Sequence, residues 1–142
     1  MNDYAIPQKN KHIYQSYIQE IFNEGLLEKL KEYMSPSYVL RDAPPGTPKG
    51  PDAIKQIVTM FRSGFPDLEI TIEDLIAEND LVATRSTLRG THLGSAFGME
   101  PTGRKVTMPS LTMVRIIDGK IIESWVRNDF AGLLKQLEAN HD

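Results

Sequence analysis

Cysteine is absent from this 142-residue chain, so disulfides and thiol chemistry are excluded and a zinc site loses its commonest soft ligand. Histidine is nearly as scarce. His12, His92 and His141 stand far apart, and no pair has metal-ligand spacing; no metal and no cofactor are expected. No apolar run approaches the roughly 18 residues that a membrane span needs. The opening Met1-Asn2-Asp3-Tyr4 lacks a basic segment followed by an apolar one, so no signal peptide is expected and the cytoplasm is the expected compartment. Positive charge is not in excess, with 16 Lys and Arg against 19 Asp and Glu. That balance argues against a nucleic-acid binder, whose footprint is a basic stripe. Ser86, Ser95 and Ser110 lack the strand–turn–helix context of a nucleophile elbow, so covalent catalysis has no support.

What is present is an ordinary globular composition, 40% hydrophobic and 25% charged, in a length suited to one domain, residues 1–142, with a single core. Ile13, Tyr14, Tyr17, Ile18, Ile21 and Phe22 form a helical stripe over residues 9–23. Gly25 ends it. Leu26, Leu27, Leu30, Tyr33 and Met34 mark a second, shorter helix stopped by Ser35-Pro36, and a short strand is predicted at 37–40. Residues 41–51 hold four prolines and two glycines and read as a loop. A third helix starts near Pro51, buries Ala53, Ile54, Ile57, Val58, Met60 and Phe61, and stops at Gly64-Phe65-Pro66-Asp67.

Strands follow. Leu68, Ile70 and Ile72 alternate, then Leu75 and Ala77 take over with opposite parity, the mark of a β-bulge. After a strand over 81–91 and a glycine-rich loop over 94–103 comes a long hairpin, 107–117 and 120–129, turned at Asp118-Gly119. A short amphipathic helix over 130–137 closes the chain. Helices segregated from a continuous antiparallel run predict an α+β fold, with a curved antiparallel sheet wrapped over the N-terminal helices. The wide end of such a cone is the natural place for a pocket.

The hairpin is where chemistry is expected. Glu123, Arg127 and Asp129 sit among its apolar residues, and an ionised group on a core strand is costly unless it is paired, solvated or used. A two-residue Asp118-Gly119 turn sets Ile117 against Lys120. Counting back pairs Ile116 with Ile121, Val114 with Glu123, Thr112 with Trp125, Ser110 with Arg127 and Met108 with Asp129, all on one face. The other face takes Ile122, Ser124, Val126 and Asn128, and a three-residue turn slips every pair by one. The first face is apolar near the turn and becomes aromatic and polar beyond it. Such a gradient suits a cavity that holds an apolar ligand and orients it through Trp125, Arg127, Thr112, Ser110 and Met108. A structural reading competes, with Trp125 as core and Arg127 and Asp129 as a solvated ion pair. His92, at the end of the 81–91 strand, suits acid–base work or a hydrogen bond to a substrate carbonyl; a lone histidine is also a common structural hydrogen-bonder. Tyr14 and Tyr17 bring hydroxyls toward the cavity mouth.

Several short stretches recur in one order: Phe65-Pro66-Asp67-Leu68, Gly90-Thr91-His92-Leu93-Gly94, Pro101-Thr102-Gly103-Arg104, Asp118-Gly119-Lys120-Ile121, and Glu123-Ser124-Trp125 through Asp129. Leu133-Leu134 and Gln136-Leu137 follow. Together they resemble the SnoaL-like polyketide cyclases, also called ester cyclases, over residues 13–137. The resemblance implies the cystatin-like cone shared with nuclear transport factor 2 and ketosteroid isomerase, and a homodimer paired through the exposed sheet. It implies cofactor-free ring closure of a small hydrophobic carbonyl substrate by intramolecular aldol condensation. By the same resemblance Asp129 is the general acid/base and His92 lies at the pocket, while the hairpin register and the first helix supply Trp125, Arg127, Thr112, Ser110, Met108 and Tyr14 as the expected substrate contacts. Two departures bear on the substrate: Arg41-Asp42-Ala43-Pro44 lacks the family's frequent histidine, and Asn128 replaces an apolar or aromatic residue before Asp129. The same fold hosts non-catalytic dimeric binding modules, hydrolases and isomerases, so these readings stay open.

Overall fold

A computed structural model describes residues 5–138; His141 lies outside them. The first helical stripe becomes α1 (Ala5–Tyr17), which continues as a π-helical stretch (Ile18–Asn23). Arg62 donates to the carbonyls of Phe22 and Asn23 and satisfies the end of that stretch. A 3-10 turn (Leu27–Lys29) leads into α2 (Leu30–Tyr33) and directly into β1 (Met34–Leu40). The proline-rich loop then delivers Pro51, with φ −58°, to the start of α3 (Asp52–Gly64), where a fixed φ is already helical. Four strands and a helix complete the chain: β2 (Glu69–Glu78), β3 (Leu81–Thr91), β4 (Lys105–Ile117), β5 (Lys120–Asn128) and α4 (Phe130–Glu138). No helix among the described residues is long and apolar enough to cross a membrane.

The sheet runs β1-β5-β4-β3-β2, antiparallel except for the parallel β1–β5 pair. This is the α+β arrangement expected, with α1 and α3 inside the curve of the sheet. One core cluster joins α1, α3 and the inner sheet face through Tyr17, Ile21, Ile54, Val82 and Ile116; a second sits under α4 with Phe65, Met108, Leu133 and Leu137. The parity change in β2 is a bulge as predicted: Ile72 faces Ser86 and Asp74 faces Arg85, so Glu73 is the extra residue.

The hairpin register needs a correction. Ile117 faces Lys120 and Ile116 faces Ile121 as counted, but Arg115 then faces Glu123. Ile122 is an unmatched extra residue, and one extra residue moves every later side chain to the opposite face. Ser124, Val126 and Asn128 therefore share the inner face with Val114, Thr112 and Ser110, while Glu123, Trp125 and Arg127 point outward.

Candidate active site

Between the helices and the inner face of the sheet lies a cavity of about 270 Å³, near the small end of the range for ligand pockets. Its helical wall is apolar and aromatic: Tyr14, Tyr17, Ile18 and Phe22 from the first helix and its π-helical continuation, then Ile54, Ile57 and Phe61 from α3. Its floor is different. Ser86, Ser110, Thr112 and Ser124 project from β3, β4 and β5 among Leu88, Met108, Val114 and Ile121. Tyr38 of β1 lies buried beside that floor, and toward the mouth come Leu40, then Arg41, Asp42, Ala43 and Pro44, with Val126 and Asn128 opposite. The strand residues alternate, which brings hydroxyls and hydrocarbon to the same face.

The floor's polar groups are largely tied to one another. Tyr14 hydrogen-bonds with Thr84 and Thr112, and burial pushes its phenol up to about 12. Tyr38 shares a hydrogen bond with Ser124, and burial likewise raises it to about 12. Burial drives Tyr17 well above the usual range, with Tyr38 and Tyr14 adding to the effect. These phenols stay protonated at neutral pH and act as hydrogen-bond donors. Ser110 donates to Asn128 at 2.5 Å. Among the described residues the charged side chains lining the cavity are Arg41 and Asp42. Arg41 is turned to Glu123 at 2.7 Å and Asp42 to Arg127 at 2.8 Å.

Of the residues expected from sequence, Tyr14, Thr112, Ser110 and Met108 line the cavity. Trp125 and Arg127 do not, because the bulge at Ile122 turns them to the outer face. Glu123 is held there between Arg115 and Arg41, which lower its carboxyl below the ordinary glutamate range. Asp129 follows the last lining residue, Asn128, and caps α4: its Oδ1 accepts the Gly132 N–H at 3.0 Å and its carbonyl accepts the Leu133 N–H.

His92 also needs a correction of place. It is fully buried outside the cavity lining, packed against Phe65 with ring centroids 5.4 Å apart and the rings tilted by 33°. The Thr102 N–H donates to Nδ1 at 3.2 Å, which puts the ring proton on Nε2. Backbone bonds from His92 N–H to the Arg104 carbonyl and from Gly103 N–H to the His92 carbonyl close the same loop. The histidine pins the 92–104 loop rather than reaching the mouth. Tyr38, Asp42, Ser124, Val126 and Asn128 were not among the sequence candidates. Only the paired isoleucines Ile121-Ile122 marked a possible slip.

A curved sheet over helices, enclosing an apolar cavity with a hydroxyl floor, defines a cone of the nuclear-transport-factor-2 type. Within that class, the SnoaL-like polyketide cyclase family matches residues 11–137, and the chain belongs to it. It is 34% identical over 119 residues to the nogalonic acid methyl ester cyclase of Streptomyces nogalater, covering 82% of this chain and 88% of that one. With an aklanonic acid methyl ester cyclase of Streptomyces peucetius it shares 30% identity over 122 residues, 83% of each chain. Wild-type IdmH of Streptomyces antibioticus superposes with a TM-score of 0.79 at 36% identity, covering 92% of this chain and 99% of IdmH.

Proposed function

We propose that this chain is a cofactor-independent cyclase that closes a ring in a small hydrophobic carbonyl compound by intramolecular aldol addition. The observation that carries the reading is the cavity itself, apolar on its helical wall and hydroxyl-lined on its floor, in a relative of two ester cyclases. A flat ring system is held by Tyr17, Phe22 and Phe61, and its oxygens meet Ser110, Thr112 and Ser124. An aspartate carboxylate at the open end removes a proton from the carbon α to one carbonyl. The enolate carbon then bonds to a second carbonyl carbon of the same molecule, and the alkoxide so formed takes the proton back from the aspartic acid. The product is an isomer of the substrate. Tyr14, protonated at neutral pH, donates a hydrogen bond to the enolate oxygen, where negative charge develops. General acid–base help of this kind supplies roughly 10²–10⁴-fold of rate.

The test is incubation with nogalonic acid methyl ester, the compound named for the Streptomyces nogalater relative. The expected result is an isomer of equal mass with a new chromatographic retention, formed at a rate that rises as the carboxylate ionises. Binding without isomerisation at any pH makes the chain a ligand-binding module instead.

A homodimer through the sheet belongs to the same reading. On the outer face Ile76, Ala83, Met113 and Trp125 lie in register across four strands. Mostly charged rows flank them, Glu78, Leu81, Arg115 and Glu123 on one side and Asp74, Arg85, Leu111 and Arg127 on the other. Leu111 and Ile76 are 59% and 67% exposed. An apolar stripe between charged rows is the form of a self-complementary contact. Trp125 is the chain's single tryptophan, so its fluorescence should change on dilution if the dimer dissociates.

A further inference from the structure

We infer that the Tyr17 hydroxyl is the donor that selects ligands carrying an oxygen acceptor on the inner edge of their ring system. The inference deepens the cyclase reading, on which it rests, by naming the class of compound the cavity takes: flat aromatic carbonyls rather than flat hydrocarbons. Three phenols line the cavity, those of Tyr14, Tyr17 and Tyr38. Tyr14 is shared with Thr84 and Thr112, and Tyr38 with Ser124. Tyr17 is only 5% exposed, yet its hydroxyl forms no hydrogen bond with any described residue.

The fold fixes where that hydroxyl points. Tyr17 is the last residue of α1, and the chain continues as the π-helical stretch Ile18–Asn23. Such turns are rare, join residues five apart and recur at functional sites. Phe22, five residues on, packs against Tyr17 with ring centroids 5.7 Å apart and planes at 77°. Tyr14 and Tyr33 hold the same ring from 5.8 and 6.1 Å. A ring gripped by three aromatic neighbours has little freedom to swing its hydroxyl elsewhere. Tyr14 and Tyr38 lie near enough to act on its ionisation, and their own hydroxyls reach Thr112 of β4 and Ser124 of β5. Tyr17 therefore points from the helical wall across the cavity toward the sheet.

A ligand that fills the cavity takes water away from this hydroxyl. A hydrocarbon then leaves a buried donor without an acceptor, and an unmade buried hydrogen bond costs more than a made one contributes. A carbonyl or phenolic oxygen at the inner edge restores the bond. Rejecting a ligand by leaving a polar group unpaired discriminates more sharply than rejecting it by hydrophobic size. Burial keeps the Tyr17 phenol protonated well above neutral pH, so it offers a proton to that oxygen.

The test uses 9-fluorenone and fluorene, flat tricyclic probes of nearly the same shape that differ by one carbonyl oxygen. In equilibrium dialysis Tyr17→Phe is expected to weaken fluorenone about 10-fold and to leave fluorene bound as tightly as before or more so. The infrared carbonyl stretch of bound fluorenone is expected at lower frequency in the native chain than in Tyr17→Phe, the signature of a hydrogen bond. A third readout needs no ligand: Tyr17→Phe is expected to melt no lower than the parent, whereas Tyr38→Phe, which loses its bond to Ser124, melts lower. Equal weakening of both probes, an unmoved carbonyl stretch, no binding of fluorenone, or a Tyr17→Phe melt as low as that of Tyr38→Phe overturns the inference. Conversion of nogalonic acid methyl ester in that event leaves the cyclase reading standing. Selective binding of fluorenone without conversion at any pH removes the cyclase reading and keeps the donor.

Discussion

Replacing Asp129 by alanine should destabilise the chain by an amount that its hydrogen bonds fix. The Oδ1···N distance to Gly132 is 3.0 Å and the Asp129 carbonyl accepts the first intrahelical bond from Leu133, so Asp129 is the N-cap and Gly132 the third helical residue. Losing such a cap costs about 1 kcal/mol, within a range of roughly 0.5–2. For a domain of this size each kcal/mol moves Tm by about 3 °C. Asp129→Ala is therefore expected to melt ~3 °C lower, while Asp129→Asn, an equally good cap, stays near the parent.

Gly132 supplies an internal control. A Cβ added there would stand 2.2 Å from Asp129 Oδ2, so Gly132→Ala must push the cap aside. With the aspartate already gone, the same change should give the usual gain of about 1 kcal/mol for alanine over glycine in a helix. Thermal melts of the two single variants and the double variant measure the coupling. If Gly132→Ala gains equally in both backgrounds, or if Asp129→Ala melts with the parent, the capping account is refuted.

Two other predictions follow from the packing. The Leu93 and Gly94 N–H groups donate to the Gly64 carbonyl at the end of α3, so Gly94→Ala should cost at least ~2 kcal/mol, because its Cβ would lie 1.9 Å from the Ser63 carbonyl oxygen, a backbone atom that cannot step aside; an unchanged melting temperature would show that the 92–104 loop does not sit on α3. The buried phenols set an alkaline limit. Tyr14 and Tyr38 titrate near 10 when unfolded and at about 12 when folded, so the folded state binds more protons between those values. Their contribution is intact below pH 10 and is lost as pH rises toward 12, by about 3 kcal/mol for a fully buried phenol. Phenolate absorbance should lag behind that of free tyrosine and then appear together with unfolding. A smooth titration near 10 in a chain that remains folded contradicts the burial.

Alternation along the chain was informative wherever polar and apolar residues trade places. Ile70, Ile72, Leu75 and Ala77 expose the extra residue in β2 because Glu73 and Asp74 interrupt the hydrocarbon. In β5 the extra residue falls within Lys120-Ile121-Ile122-Glu123, where either isoleucine satisfies the pattern. Local sequence carries no sign of which one faces inward, so half of the cavity floor was assigned to the wrong residues of β5 while β4 was read correctly. His92 escaped for another reason. Its surroundings are made by Thr102 and Arg104 across a closed loop and by Phe65 from the end of α3, contacts that periodicity cannot report. Asp42 was visible only as a departure from the family's histidine-bearing segment. Its position over the mouth depends on β1 lying beside β5, which is a pairing of distant strands.

The extra residue at Ile122 gives the outward charges a task that needs no substrate. Without it, β5 would pair in unbroken step with β4, and Glu123, Trp125 and Arg127 would turn into the cavity while Ser124, Val126 and Asn128 left it. That alternative would strip water from two charged groups and separate Glu123 from Arg41 and Arg115, a penalty of several kcal/mol for each buried ion. Glu123 and Arg127 thus work as keys that fit only one alignment of the two strands. The hydroxyl floor is kept facing the ligand by ionic side chains that never see it.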